Sequence, residues 1–407
     1  MGAIKMPDFT PTPEQQAIVE FGQTETANLA VIARAGAAKT STLVLLAEAL
    51  PDTKILCLAF NKKIAEEMST RLPKNCESRT LHSIGMRTWL DYIRKRPKVN
   101  GGKMRIMFKT LVEKLSKEDQ QAAWDMYKEI MDSIGLGKQA GWLPDDFVAR
   151  SSYKSHIDDE SFFASLPMEP TQLHIDIVKR LAEDSFMLAV QGVEIDFDDM
   201  IMCPCCAQVS WPTYDLTLVD EAQDLSYLNH YILRKIVKRK RLIAVGDPCQ
   251  AIYGFRGADA DSMDRLAKMF DMQKLYLTVS FRCGRAITEN AQWRAPDMTS
   301  PEWAQEGEVH RHASWDVSDI QDGDAIICRN NAPLFALAIK LLRAGRLPEI
   351  AGRDIAAPLV KLMGKLGKDN LASGAALAAV EEWEERELKR AREGSKRLIR
   401  DKADIMR

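Results

Sequence analysis

The chain has 407 residues, with 56 Lys+Arg against 58 Asp+Glu for a net charge of −2, and 46% of its residues are hydrophobic. The length asks for two or three domains, and the apolar content excludes a chain disordered throughout. The charge balance excludes a uniformly basic nucleic-acid coat but leaves room for a local basic groove. No apolar run reaches the ~18 residues of a membrane span. No signal core opens the sequence, and eight scattered cysteines are too few for a disulfide scaffold, so a cytoplasmic protein with reduced thiols and no membrane partner is expected.

Short apolar runs then alternate with amphipathic segments, the pattern of βαβ units. Asn28–Ala33 reads as a buried strand, followed by a Gly/Ala turn and a helix from Lys39 to about Leu50. Lys54–Phe60 is a second strand and Lys63–Leu72 a second helix. Strand signals stop there and resume at Asp215–Val219 and Arg241–Val245, so a parallel sheet is interrupted by an inserted domain. The insertion reads mainly helical, and its charge is uneven. Met86–Thr110 holds eight basic residues and one acid among Trp89, Tyr92 and Phe108, whereas Leu143–Met200 holds thirteen acids and four bases. The basic segment is either a nucleic-acid surface or a solvated helical face. After Leu277 strands are expected at Glu308–His310 and Ala325–Cys328, with a helix from Pro333 to about Arg343. Val380–Arg407 closes the chain as a charged helical stretch with no obvious core face.

The chemistry starts at Ala33–Thr40, ARAGAAKT, between a strand and a helix. A phosphate-binding loop needs inward backbone N–H groups, a Lys for the β/γ-phosphates and a hydroxyl for Mg²⁺. Ala35, Gly36, Ala37 and Ala38 form the turn, Lys39 is the cation, and Thr40 is the hydroxyl with Ser41 beside it. The usual first and last glycines are Ala33 and Ala38, so a plain turn with an exposed Lys is the alternative. Leu216–Asp224, LTLVDEAQD, is an apolar strand ending in adjacent carboxylates. Asp220 there suits Mg²⁺ and Glu221 suits polarising a water. A third strand ends in Gly246, Asp247 and Gln250, so three strand tips converge on the carboxyl edge of one parallel sheet. Cys203, Cys205 and Cys206 lack the second pair that zinc wants and read as a thiol-rich loop, and Lys238–Arg241 reads as a solvated turn.

Taken in order, these segments resemble the UvrD/Rep-type superfamily 1 DNA helicases, most closely the branch around the F-box DNA helicase. Thr12–Ile18 (TPEQQAI) resembles the family's Q motif; Leu58–Met68 and Thr80–Ser83 resemble its strand-contacting motifs. Asp220–Asp224 resembles its Walker B form, Gly246–Asp259 its coupling motif, and Ser280–Arg282 the motif that opens a second RecA-like domain. Asp196–Met200 resembles the structural return into the core. The implied fold is α/β: a RecA-like P-loop NTPase core, its parallel sheet flanked by helices, with a mainly helical inserted domain and a partial second RecA-like domain. Residues 1–84 and 196–277 would form the first RecA-like domain and 85–195 the insertion, leaving 278–407 as the partial second domain with its helical C-terminal segment.

The resemblance also implies roles. Gln15 would read adenine and Phe281 would stack on it. Lys39 and Thr40 would serve the phosphates and Mg²⁺, Gln250 would sense the γ-phosphate, and Arg282 would reach it. Phe60, Tyr253 and Phe255 would stack bases, with Asn61 beside Phe60. Thr80 and His82 would face the DNA backbone, and Arg256 would bridge the two sites. The implied activity is an ATP- and Mg²⁺-dependent helicase or translocase on single-stranded or tailed duplex DNA, running 3′ to 5′. Ala38 departs from the pattern, since its Cβ crowds the phosphates. The family's last two motifs are not found after Asn331. A truncated or split chain is therefore expected, with a second polypeptide bearing those motifs. The alternatives are a nucleotide-dependent single-strand-binding or regulatory module that does not unwind, or an RNA helicase.

Overall fold

The computed structural model describes residues 10–238, 240–251 and 261–328, then 333–334, 337–338, 340–341, 344–346, 348–349 and 376–390. The chain divides into two compact units, Met1–Val309 and His310–Arg407.

In the first unit, a six-stranded parallel sheet is ordered β3-β2-β6-β7-β1-β8. Its strands are β1 Leu29–Ala33, β2 Ile55–Leu58, β3 Cys76–Arg79, β6 Leu216–Val219, β7 Arg241–Gly246 and β8 Gln273–Leu277. The central four are rich in apolar residues because both faces are covered. Leu29, Val31, Ile55, Cys57, Leu218 and Val245 face Ile18, Leu43, Leu46 and Met68 of α1 Pro13–Thr24, α2 Lys39–Glu48 and α3 Lys62–Arg71. The opposite face, with Ala30, Leu56, Leu58, Leu242 and Ala244, packs with Trp89, Leu228, Ile232 and Leu266.

Between β3 and β6 the chain leaves the sheet through α4 Leu81–Ile93 and a small parallel pair, β4 Lys98–Val99 with β5 Glu194–Ile195. Helices α5 Lys103–Val112, α6 Lys117–Asp125, α7 Tyr127–Ala140, α8 Asp145–Ala149, α9 Asp159–Ala164 and α10 Gln172–Val190 follow β4, with their own core of Phe108, Ile130, Trp142, Phe162 and Val178. The return is α11 Asp199–Cys206, and α12 Tyr227–Val237, α13 Ser262–Phe270 and α14 Arg285–Ala291 complete this unit. Lys103 is fully buried and donates to Asp199 at 2.7 Å and to the Ser185 carbonyl at 2.8 Å, while Lys138 bonds Asp196 and Asp199. Burial alone would push Asp199 up, but Lys138 and Lys103 hold its pKa below the ordinary value.

Several expectations are corrected. Cys203, Cys205 and Cys206 are not in a loop; they form the last turn of α11, buried in the same cluster as Trp89 and Ile232. Glu308–His310 and Ala325–Cys328 are not strands: no neighbour pairs with them among the described residues, and Ile327 is 93% exposed. β3 and β8 form where no strand was expected, because edge strands tolerate polar residues such as Glu77 and Lys274. In the second unit α15, Ala376–Arg390, does carry an apolar face, since Val380 and Trp383 are buried.

Candidate nucleotide site and nucleic-acid face

The link from β1 to α2 turns through two left-handed residues, Gly36 at φ 76° and Ala38 at φ 56°. Glycine at 36 is required twice over. Besides its φ, a Cβ there would lie 2.7 Å from both Arg282 Cβ and Ser280 Oγ. No side chain caps α2, so its leading N–H groups face outward at the positive end of the helix, the arrangement that receives a phosphate.

The strand tips bring the expected groups together. Lys39 Nζ lies 2.8 Å from Glu221 Oε2, and Thr40 Oγ1 donates to Asp220 Oδ2 at 2.8 Å. Glu221 is itself left-handed, at φ 53°, which turns the chain sharply off the end of β6. Asp220 is buried, and burial first, then the neighbouring Glu221 charge, pushes its pKa up to about 6. A hydroxyl and a carboxylate in contact are hard oxygen donors of the kind Mg²⁺ takes, and a dication there would offset the desolvation that raises Asp220.

Gln223 joins this pair to the third tip. Its Nε2 donates to Glu221 at 2.9 Å and to Asp224 at 3.2 Å, while its Oε1 accepts from the Asp247 N–H at 3.0 Å. Gln250 Nε2 in turn donates to Asp247 Oδ2 at 2.6 Å. Arg34 closes the ring, 3.3 Å from Asp247 and forked onto Asp297 at 2.6 and 2.9 Å. Gln223, Arg34 and Asp297 had no sequence-based role. Gln223 was visible inside DEAQD, but nothing in the sequence relates Arg34 to a residue 263 positions away.

Gln15 is fully buried. Its Oε1 accepts from the Thr12 N–H in the α1 capping box, and its Nε2 donates to Thr42 Oγ1 at 3.0 Å. The Phe281 N–H donates to the Gly36 carbonyl at 3.0 Å, which sets Phe281 and the exposed Arg282 directly against the phosphate loop. Ser41 accepts from Arg71 at 3.0 Å.

Of the residues expected to face nucleic acid, Phe60 is 37% exposed beyond the end of β2. Asn61 and Thr80 are the N-caps of α3 and α4, accepting from the N–H groups of Ile64 and Ser83. His82 is exposed, and desolvation by the surrounding protein lowers its pKa below the ordinary imidazole value. Tyr253, Phe255 and Arg256 lie outside the described residues. The basic segment divides: Trp89, Lys103 and Phe108 belong to cores, whereas Arg87, Arg94, Lys95 and Arg96 join Arg79 in lining a groove of 530 Å³ along α4.

A parallel sheet bearing this loop and these carboxylates at one edge is a RecA-like P-loop core. The family model described as the UvrD/REP helicase N-terminal domain matches residues 11–271, more than half of the sequence, and the chain belongs to that family. It is 27% identical to F-box DNA helicase 1 of Gallus gallus over 68% of this chain and 27% of the relative. With F-box DNA helicase protein 1 of Schizosaccharomyces pombe the identity is 25% over 90% of this chain and 42% of the relative. With ATP-dependent DNA helicase UvrD1 of Mycobacterium leprae it is 24% over 68% and 38%. The chain therefore spans less than half the length of each of these relatives. No helix among the described residues is long and apolar enough to cross a membrane.

Proposed function

We propose that this chain is an ATP- and Mg²⁺-dependent DNA helicase or translocase that moves along single-stranded or tailed duplex DNA from 3′ to 5′. The observation that carries the reading is the pairing of Lys39 with Glu221 and of Thr40 with Asp220 across the sheet edge. In this reading Lys39 leaves Glu221 for the β/γ-phosphates, which frees the Glu221 carboxylate to orient the attacking water. Thr40 and Asp220 would hold Mg²⁺, which supplies charge neutralisation at the phosphates. Gln223 keeps Glu221 aimed, because its other end is fixed to the Asp247 backbone. Gln250, bonded to Asp247, would report the γ-phosphate through that same link, and Arg282, beside Gly36, would reach it.

Residues 1–84 and 196–277 form the first RecA-like domain in this reading, with 85–195 as the insertion and 278–407 beginning a second domain. Phe60 offers a base-stacking face, and the α4 cations supply phosphate attraction, which is sequence-independent and weakens with salt. The test is Lys39→Ala, which should abolish ATP hydrolysis while leaving single-strand affinity unchanged; retained hydrolysis would overturn the site assignment. Displacement from 3′-tailed against 5′-tailed duplexes checks polarity, and stimulation by single-stranded DNA against RNA checks the substrate.

A further inference from the structure

Trp303 is 71% exposed, yet its indole stands against Phe281 with ring centroids 6.3 Å apart and an interplanar angle of 22°. The segment bearing Trp303 is fixed beside the segment bearing Phe281. Ser280 N–H donates to the Thr299 carbonyl at 2.8 Å and Thr299 N–H to the Thr278 carbonyl at 3.0 Å. Ala304 N–H donates to the Pro301 carbonyl at 2.9 Å, with Ala304 and Met298 buried on either side of the turn. Rigid backbone therefore presents two nearly parallel aromatic faces, one of them on a residue hydrogen-bonded to the phosphate loop.

A planar base held in contact on both faces needs rings about 7 Å apart, twice the ~3.5 Å carbon contact distance. Phe281 and Trp303 stack on one another, so a base would enter by parting the two rings, and the exposed indole is the ring with room to swing outward. The Trp142–Phe162 stack, at 4.3 Å, is by contrast fully buried.

Building on the nucleotide site proposed above, we propose that Trp303 and Phe281 form a two-sided clamp on the nucleotide base, with Trp303 the outer jaw. The clamp recognises a planar ring by stacking and favours purines, whose two fused rings cover more of the indole. Base stacking is tolerant of hydrogen-bonding pattern, so Trp303 sets affinity for the base and not the choice between adenine and guanine.

The experiment is equilibrium binding of Mg–ADP, Mg–UDP and Mg–tripolyphosphate to the full chain, its Trp303→Ala and its Trp303→Phe variant. Trp303→Ala should weaken ADP binding about 5-fold or more, the lower end of what loss of one base-stacking aromatic costs. It should narrow the preference for ADP over UDP and leave tripolyphosphate, which has no base, unchanged. Trp303→Phe should recover most of the ADP affinity. Unchanged ADP affinity in Trp303→Ala would overturn the clamp alone, and tighter ADP binding would show that Trp303 covers the site and does not grip its ligand. A wild-type chain that binds neither ADP nor tripolyphosphate would overturn the nucleotide site itself and the clamp with it.

Discussion

Ala38 holds a left-handed φ of 56° directly before the lysine of the phosphate loop, a conformation that costs a side-chain-bearing residue about 1–2 kcal/mol. Ala38→Gly removes that strain, and the greater freedom of glycine in the unfolded chain takes back about 0.5–1 kcal/mol. A net gain of about 0.5–1 kcal/mol in chemical denaturation is expected, together with tighter Mg–ADP binding once the Cβ no longer crowds the loop. A second single-residue effect concerns Asp198, whose pKa burial, and then the Asp196 charge, pushes up to about 6. An unfolded Asp titrates near 3.9, so the folded protein holds this proton more tightly than the unfolded chain does. Its favourable contribution is complete below about pH 4 and is lost as pH rises through about 6. Asp198 caps nothing through its side chain, so Asp198→Asn removes only the charge. The variant should match the wild type at pH 4 and exceed it by about 1–2 kcal/mol at pH 8. Thermal unfolding of both proteins across that range measures the difference.

Between elements, the closest constraint lies where α4 crosses α11. Gly85 faces the backbone of α11, and a Cβ there would lie 2.1 Å from the Met200 carbonyl oxygen. Backbone cannot yield as a side-chain tip can, so Gly85→Ala should cost about 3 kcal/mol, the upper range for overpacking, read as a lowered denaturation midpoint. What covers each element decides how legible it is in the sequence. β1, β2, β6 and β7 are covered on both faces, so each is dominated by apolar residues, broken only by the buried Thr217 and the leading Arg241, and announces itself. β3, written CESR, and β8, written QKLYL, lie at the sheet edges, where one flank is open and polar residues mask the strand. α11 is masked in the sequence because Pro204 and three cysteines look like a loop when the helices that bury them, α4 and α12, are distant in sequence. Within the site, Lys39, Thr40, Asp220 and Glu221 were legible because each stands at the end of its own strand or the start of the helix after it. Arg34–Asp297 and Phe281–Trp303 were not, since pairing in space leaves no local signal.

At the scale of the whole molecule, the core and the site fall on the same side of one boundary. Among the described residues, the three hydrophobic clusters lie between Ile18 and Leu277. Lys39, Thr40, Asp220, Glu221, Gln250, Phe281, Arg282 and Trp303 all fall within Met1–Val309. The long-range bonds that hold the segment after β8 in place also close inside this unit. Glu14 accepts from the Thr278 N–H at 2.9 Å and hydroxyl at 2.7 Å, Arg34 grips Asp297, and Gly36 accepts from Phe281. A unit with its own core and its own closing bonds has what independent folding requires. A chain ending at Val309 should therefore unfold cooperatively and bind Mg–ADP with the affinity of the full chain, measured by circular dichroism and equilibrium titration. A shortened chain that folds but loses ADP would overturn this expectation and show that the nucleotide site draws on residues after Val309.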